Sequence, residues 1–322
     1  MMTTEFLEGK WNTIVQDGSA EFRFKKISAD CMPELNIGIN KLFNRCLILE
    51  LPAANNVDFQ GSVKQNLSIE FYRGSNYIVI QLTDNSYHDL FNDLIISLYH
   101  KIKDISDVDV YSRELIKAFY KWSGFFDDKL SDRISPDIIK GLFGELAVLR
   151  SLVADAPSAT INDVLNSWQG PYDRGQDFVL DDRNLEIKTK EVAKADVRIS
   201  SEFQLEPEFQ KGLELVVVTV DPVPADGLSL QDLAQEIRGL IIERLGDTSI
   251  FLKALAQKGL NLRNIEAYND IMYRLVSETS YNCLADGFPR LTVSGIPQEI
   301  NNLKYNIRIS ALDDYILTRR DY

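Results

Sequence analysis

Ionisable side chains interrupt an otherwise apolar stretch, "DRGQDFVLDDRNLEIKTK", at residues 173–190. Asp177, Glu186 and Lys188 stand among residues whose pattern is typical of buried strands. A buried charge is costly unless it is paired or holds a metal ion. The stretch is therefore either more exposed than its pattern indicates, or these three side chains act together in one site.

Two short apolar runs around "DDRN" predict a β-hairpin with residues 181–184 as its turn. In this register Val179 lies opposite Glu186, and Asp177 lies opposite Lys188. Side chains alternate along a strand, so these four share one face. The other face is apolar and is predicted to meet the core; it carries Phe178, Leu180, Leu185 and Ile187. Asp177 and Glu186 then become diagonal neighbours, roughly 7–8 Å apart at Cα, which suits a shared Mg²⁺ ion.

The stretch "DIIKGLFGELAVLRSLV", residues 137–153, predicts a helix with an apolar stripe. The stripe consists of Leu142, Leu146, Leu149 and Val153. Glu145 points with this stripe, where a carboxylate is unexpected. Gly141 and Gly144 each lower helix propensity by about 1 kcal/mol relative to Ala, which predicts a close approach to another backbone. If that backbone is the hairpin, Glu145 is aimed at its charged end.

Glu145, Asp177, Glu186 and Lys188 together suit phosphodiester hydrolysis. That reaction needs a metal ion to polarise the phosphate and to lower the pKa of a bound water. Asp177 and Glu186 are the expected direct ligands, and Glu145 is expected to hold the metal through a water or to orient Lys188. Lys188 would stabilise the developing negative charge.

Simpler interpretations of the same residues stay open. Glu186 and Lys188 fit an exposed cross-strand ion pair, which contributes about 0–1 kcal/mol. Glu145 fits a pairing with Arg150 or Lys188 that stabilises a helix–sheet contact. A glycosidase also uses paired carboxylates, but it needs no lysine beside them, and no aromatic sugar platform is evident nearby.

The order of a helical Glu, then Asp, then Glu-x-Lys on adjacent strands resembles the PD-(D/E)XK superfamily of restriction-endonuclease-like nucleases. The usual Pro before the Asp is absent, because "GQD" stands there. The chain is also similar to a bacterial family of unknown function assigned to this superfamily. The stretches that carry this second resemblance are "KWSGFF", "LSDRISPDIIKGLFGELAVLRSL", "DFVLDDRNLEIKTK", "VRISSEFQL" and "DGFPRLT".

The resemblance implies a restriction-endonuclease-like αβββαβ core whose catalytic residues are Glu145, Asp177, Glu186 and Lys188. It implies Mg²⁺ or Mn²⁺ at Asp177, Glu186 and Glu145. Members of the similar family tend to be encoded beside DNA methyltransferases, ATPases and other restriction or phage-defence components. A DNA endonuclease that acts with other subunits of a defence system, or as a homodimer, is therefore expected.

Two further points stay open under this resemblance. A catalytically inactive subunit that keeps the nuclease fold and binds other proteins is the alternative function. Gln204 would orient a water or the lysine, and Arg290 would contact phosphate. A structural hydrogen bond for Gln204 and a turn ion pair for Arg290 are the simpler interpretations.

The composition limits the class of protein. The 322 residues include 35 Lys and Arg against 48 Asp and Glu, a net charge of −13, which argues against coating nucleic acid by charge alone. Three cysteines without CxxC spacing indicate reduced thiols in a cytoplasmic protein. The N-terminus lacks the pattern of a signal peptide, and no apolar run is long enough to span a membrane.

The pattern of elements predicts a mixed α/β fold in two domains. Residues 1–130 are expected to form an N-terminal α+β domain for interaction or DNA recognition. Residues 131–322 are expected to form the nuclease-like domain with a β-rich C-terminal extension, beginning with α, β, β, β, β and α across residues 137–245. The boundary is placed in the polar stretch "DDKLSDRISPD".

Overall fold

The structure is a computed structural model and describes residues 2–55, 57–126, 134–172, 175–297, 300 and 303–322. The chain divides into two compact units. Unit 1 comprises Met1–Lys129 and Leu245–Ser249, and unit 2 comprises Leu130–Arg244 and Ile250–Tyr322. The boundary expected between residues 130 and 131 lies outside the described residues and stays a prediction.

Unit 1 is built on an antiparallel sheet of six strands in the order β1-β2-β3-β6-β5-β4. The strands are β1 (Phe22–Lys26), β2 (Glu34–Asn40), β3 (Arg45–Glu50), β4 (Ser62–Val63), β5 (Leu67–Tyr72) and β6 (Tyr77–Leu82). The α-helices of this unit are α1 (Thr4–Trp11), α2 (His88–Ile102) and α3 (Val108–Trp122).

The periodicity of the first third predicts part of unit 1 correctly. Two alternating apolar runs around Gly74-Ser75-Asn76 predict a hairpin. It is confirmed, because β5 and β6 pair there in antiparallel register. Helical spacing in "SYHDLFNDLIISLYHKI" predicts an apolar face. This face is buried in α2; it consists of Leu90, Leu94, Ile95 and Leu98. The sequence predicts Ser86 as the cap of this helix, and that prediction is wrong, since Asp84 accepts the Ser86 amide at 2.9 Å and α2 begins only at His88.

Unit 2 holds a five-stranded sheet in the order β13-β11-β10-β8-β7, in which β8 and β10 are parallel. The strands of this sheet are β7 (Phe178–Val179), β8 (Arg183–Glu191), β10 (Gly212–Val223), β11 (Met272–Asn282) and β13 (Ile316–Asp321). A separate two-stranded ribbon pairs β9 (Asp196–Ile199) with β12 (Tyr305–Arg308). The helices are α4 (Pro136–Asp155), α5 (Ile161–Ser167), α6 (Leu230–Glu243) and α7 (Thr248–Gln257).

The sheet of unit 2 is covered on both faces. Residues of α4 and α6 pack with Ile187 and Val218 in a helix-side core. Residues of the ribbon pack with Leu215 and Val217 in a ribbon-side core. Alternate residues of β10 thus enter different cores, which confirms that its nearly continuous apolar sequence marks a strand buried on both faces.

The fold class is the expected mixed α/β class. The elements α4, β7, β8, β10, α6 and β11 follow one another in the order αβββαβ, with α5, β9 and α7 inserted. Ser229 stands where the sequence predicts the cap of α6, and this is confirmed, because Ser229 and Asp232 form a reciprocal capping box. The stretch "DVRISSEFQL", residues 196–205, predicts a strand. The strand ends at Ile199 and joins the ribbon rather than the main sheet.

Candidate active site

The hairpin that carries Asp177 and Glu186 forms in a different register from the predicted one. Phe178 pairs with Leu185, Val179 pairs with Asn184, and the Leu180 amide donates to the Arg183 carbonyl. Parallel pairing with β10 begins at Arg183, which draws that residue and Asn184 out of the turn and into β8. The predicted pairs of Val179 with Glu186 and of Asp177 with Lys188 are therefore wrong.

The predicted division of β8 into two faces is nevertheless correct. Leu185 and Ile187 lie in the helix-side core together with Phe178. Glu186 and Lys188 point to the opposite face, because side chains alternate along a strand. With its side chain only 1% exposed, Glu186 is a buried carboxylate.

Asp177 is held at the edge of the sheet by three backbone amides. Its Oδ2 accepts the Ile187 amide at 2.8 Å, and its carbonyl accepts the amides of Gln169 and Gly170 at 2.7 and 3.0 Å. The first bond lets a carboxylate continue the pairing of β7 with β8 beyond Phe178. Both the main chain and the side chain of Asp177 are thus fixed.

Glu145 reaches Asp177 from α4. Its Oε2 accepts the indole Nε1 of Trp168 at 2.7 Å. Gly170 lies next to both acids. A Cβ added to Gly170 would lie 2.9 Å from Asp177 Oδ1 and 3.0 Å from the carboxyl carbon of Glu145, so the two carboxyl groups approach the same point. The predicted meeting of the helix glutamate with the hairpin therefore occurs.

The two glycines of α4 differ in their surroundings. A Cβ on Gly144 would press against the side chain of Thr189 on β8, so close approach explains this glycine. A Cβ on Gly141 would have no atom within 4 Å, so the same explanation is wrong for Gly141. Arg150 pairs with Glu236 at 2.8 Å, and the proposed pairing of Arg150 with Glu145 does not form.

Glu186 and Lys188 form an ion pair along one strand. Lys188 Nζ lies 2.5 Å from Glu186 Oε1 and donates to Gln204 Oε1 at 3.2 Å. Glu186 is buried and Lys188 is partly buried, which contradicts the simple interpretation of a surface salt bridge. Glu186 Oε2 is also buried, and it has no hydrogen-bond partner among the described residues.

Burial raises the pKa of all three acids. Burial, followed by the charge of Asp177, raises the pKa of Glu145 to about 8. Burial raises the pKa of Asp177 despite the opposing charge of Lys188 and the Ile187 amide. The pKa of Glu186 is raised well above its ordinary value, first by burial and then by Asp177. Three carboxylates in one poorly hydrated place favour an added positive charge.

Lys258 is a second cation whose positive charge lowers the pKa of Glu145 and of Asp177. It follows α7 and lies far beyond the hairpin in the chain, so no local motif indicated it. Trp168 and Gly170 were also missed, because a single indole donor and a steric gap leave no pattern in a sequence. Arg290 donates to the Cys283 carbonyl, which is a structural hydrogen bond, and its predicted contact with phosphate stays a prediction.

The donor set suits a divalent cation at Asp177 and Glu186. Within the part of the chain that the structure describes, no three His, Cys, Asp or Glu side chains are grouped tightly enough to enclose a metal ion. Glu186 Oε1 is engaged by Lys188, but Glu186 Oε2 keeps unused acceptor capacity in a buried position. Mg²⁺ commonly binds one or two carboxylates and retains several waters, so two acids are sufficient.

Two further observations concern the whole chain. Among the described residues, no helix combines the length and the apolar character needed to cross a bilayer. All three cysteines are buried and unpaired, and burial raises the pKa of Cys46 and Cys283 to about 12.

Comparison with known proteins gives a family. Searches of the curated proteins and of the solved structures each found no match. A family model described as "Putative PD-(D/E)XK family member, (DUF4420)" matches residues 7–310, a range that includes Glu145, Asp177, Glu186 and Lys188. The match covers most of the chain, and unit 2 has the αβββαβ order, so the chain belongs to this PD-(D/E)XK family.

Proposed function

We propose that the chain is a metal-dependent endonuclease that hydrolyses phosphodiester bonds in DNA. The observation that supports the proposal best is the meeting of Glu145, Asp177, Glu186 and Lys188, which come from one helix and two neighbouring strands. Membership in a PD-(D/E)XK family supports the nuclease class. DNA as the substrate and a divalent metal as the cofactor are the finer parts of the proposal.

Each residue of the site has a role that its surroundings favour. Asp177 and Glu186 would hold Mg²⁺ or Mn²⁺, and such an ion supplies a polarised phosphate and a water of lowered pKa. Lys188 has its ammonium beside these acids, where it would stabilise charge developing on the phosphate. Glu145 has one oxygen fixed by Trp168, so its other oxygen would orient the attacking water or take its proton.

A cleavage assay tests the proposal directly. We expect the wild type to cut DNA with Mg²⁺ or Mn²⁺ and Lys188→Ala to lose on the order of 10²-fold in rate or more. Lys188→Met, which keeps the aliphatic stem, should lose as much. Lys190→Ala is the matched control, because Lys190 lies on the same strand but donates to the carbonyls of Glu191 and Lys194.

The assay should include methylated and unmethylated DNA, both alone and with the products of neighbouring genes. We expect those products to supply the other subunits of a bacterial restriction or phage-defence system. The unpaired cysteines are consistent with a reducing compartment such as the cytoplasm. Wild-type protein that leaves every substrate intact under all these conditions would overturn the proposal.

A second candidate is a non-catalytic subunit that keeps the nuclease fold and binds other proteins. It is favoured by the near-complete burial of Glu186 and by its closed pair with Lys188. In that case Asp177→Ala would leave the activity of the assembled complex unchanged. Loss of DNA cleavage by the complex on this substitution would reject the second candidate.

A further inference from the structure

The segment after β9, residues 200–208, lies across the polar face of β8; we call it the site strap. Gln204 Oε1 accepts Lys188 Nζ at 3.2 Å and the Ser200 amide at 2.7 Å. At the other end of the strap, Glu208 Oε2 accepts Asn184 Nδ2 at 3.0 Å. Asn184 and Lys188 flank Glu186 on the same face of β8, so the strap explains why Glu186 is buried.

A third attachment joins the strap to the segment just before the first strand of the hairpin. Gln176, the residue before Asp177, donates from Nε2 to the carbonyls of Phe203 and Glu206, each at 3.2 Å. Leu205 is 0% exposed and lies in the ribbon-side core. The strap is therefore fixed both by hydrogen bonds to the site and by an apolar anchor.

Phe203 is the aromatic residue of the strap, and it is exposed. Its side chain is 55% exposed, although its carbonyl is held beside Asp177 by Gln176 and the next side chain, Gln204, contacts Lys188. The aromatic ring of Phe203 is thus exposed to solvent next to the contacts that the strap makes with Gln176 and with Lys188. The fold gains little from this ring, because more than half of it stays in water.

We infer that Phe203 binds an unpaired nucleobase of the substrate by stacking, next to the phosphate that Lys188 and the acids receive. Every base has a π-face, so such a contact tolerates any sequence, and it contributes about 1–3 kcal/mol per base. Bases inside an intact duplex are already stacked, and an exposed ring cannot reach their faces. The inference rests on the proposed function and narrows the substrate to DNA that is single-stranded or locally unpaired at the site.

The charge of the chain supports stacking over phosphate attraction. A net charge of −13 disfavours non-specific binding of a polyanion. An acidic protein that binds a single strand needs a contribution that does not depend on neutralising phosphates, and aromatic stacking is such a contribution. Affinity for single strands should accordingly fall less steeply with salt than it does for a basic DNA-binding protein.

Fluorescence anisotropy with a labelled mixed-sequence single strand of roughly 12 nucleotides tests the inference. The titrations are done in EDTA, so that no cleavage occurs. Phe203→Ala should weaken binding roughly tenfold or more, and Phe203→Trp should stay within about threefold of the wild type. Phe43→Ala is the matched control, because Phe43 is an equally exposed phenylalanine, at 60%, in unit 1.

A second pair of ligands tests the requirement for an unpaired base. Phe203→Ala should weaken binding to a duplex with an unpaired bulge far more than binding to the same duplex without it. Equal affinity of Phe203→Ala and wild type for the single strand would overturn the inference, as would a wild type that does not bind the strand. Phe203-dependent binding in a protein that never cleaves DNA would instead overturn the proposed nuclease function and leave the stacking contact standing.

Discussion

Gly170 and Trp168 allow the carboxyl groups of Glu145 and Asp177 to lie close together. The indole of Trp168 donates to one oxygen of Glu145, and the absent side chain of Gly170 leaves room for both carboxyl groups. Neither residue neutralises the acids. The unfavourable free energy of burying these acids close together is therefore not removed, and it appears as a raised pKa of each acid. Such raised pKa values are common at catalytic sites.

Glu145→Gln should stabilise the metal-free protein at neutral pH. The folded pKa of Glu145 is about 8 against an ordinary value of 4.5, so the unfolded chain gives up this proton first as the pH rises. The free energy of unfolding of the wild type consequently falls as the pH rises from 4.5 to about 8, and the neutral amide of the variant removes this part of the fall. We expect a gain on the order of 1–3 kcal/mol in urea unfolding.

The same variant separates stability from activity. The amide oxygen that Glu145→Gln introduces would still accept the Trp168 indole, so packing is kept while the proton-accepting group is removed. We expect cleavage to fall as the free energy of unfolding rises. A variant that is less stable than the wild type at neutral pH, and equally so at pH 4.5, would show that Glu145 contributes packing instead.

At the scale of elements, the contact between α4 and β8 sets the position of Glu145. Gly144→Ala should destabilise unit 2 by about 1–3 kcal/mol, because its Cβ would lie 3.1 Å from the Cβ of Thr189 and still closer to its hydroxyl. Gly141→Ala is the matched control in the same helix. It meets no atom within 4 Å and should stabilise the helix by up to about 1 kcal/mol.

Denaturant unfolding of both variants measures this difference. If the loss in Gly144→Ala arises from the clash, adding Thr189→Ala should recover much of it, which a double-mutant cycle shows as a coupling energy. Cleavage by Gly144→Ala should also fall, since α4 must move away from β8 and take Glu145 with it. Stabilisation by Gly144→Ala equal to that by Gly141→Ala would contradict this view of the contact.

The sequence predicts the elements of unit 2 better than their pairing. Periodicity identifies α4, β8, β10 and α6, and it separates the two faces of β8. It cannot give the register of the hairpin, because that register depends on parallel pairing with β10, a strand distant in the sequence. It also misses β13, an edge strand whose residues are all exposed and which therefore lacks a buried face to mark it.

The residues of the candidate site also divide into those that the sequence marks and those that it does not. Glu145 is recognisable because a carboxylate interrupts an apolar stripe, and Asp177, Glu186 and Lys188 are recognisable because they interrupt apolar strands. Residues that act through a backbone amide or through one long-range hydrogen bond do not interrupt an apolar pattern, so the sequence does not mark them. Gln176 belongs to this group, and its role follows only from the carbonyls that it contacts.

At the scale of the whole molecule, stability and cation binding are coupled. Burial, followed by the charge of Asp177, raises the pKa of Glu145 and of Glu186 in the metal-free state, so we expect a divalent cation to bind the native chain much better than the unfolded one. Binding to the native state stabilises it by about 1.4 kcal/mol when the free ion is at about ten times its dissociation constant. For a domain of this size that energy corresponds to roughly 3–6 °C in the unfolding temperature.

Differential scanning calorimetry with and without Mn²⁺ should therefore show a shift in the transition of unit 2. Asp177→Asn and Glu186→Gln should each remove the shift, because each takes away one of the two expected ligands. Glu8→Gln is the control in unit 1, where Arg45 and Asn92 hold the pKa of Glu8 below its ordinary value. That variant should lower stability at neutral pH without changing the response to Mn²⁺, whereas an unchanged response in both site variants would place the cation elsewhere.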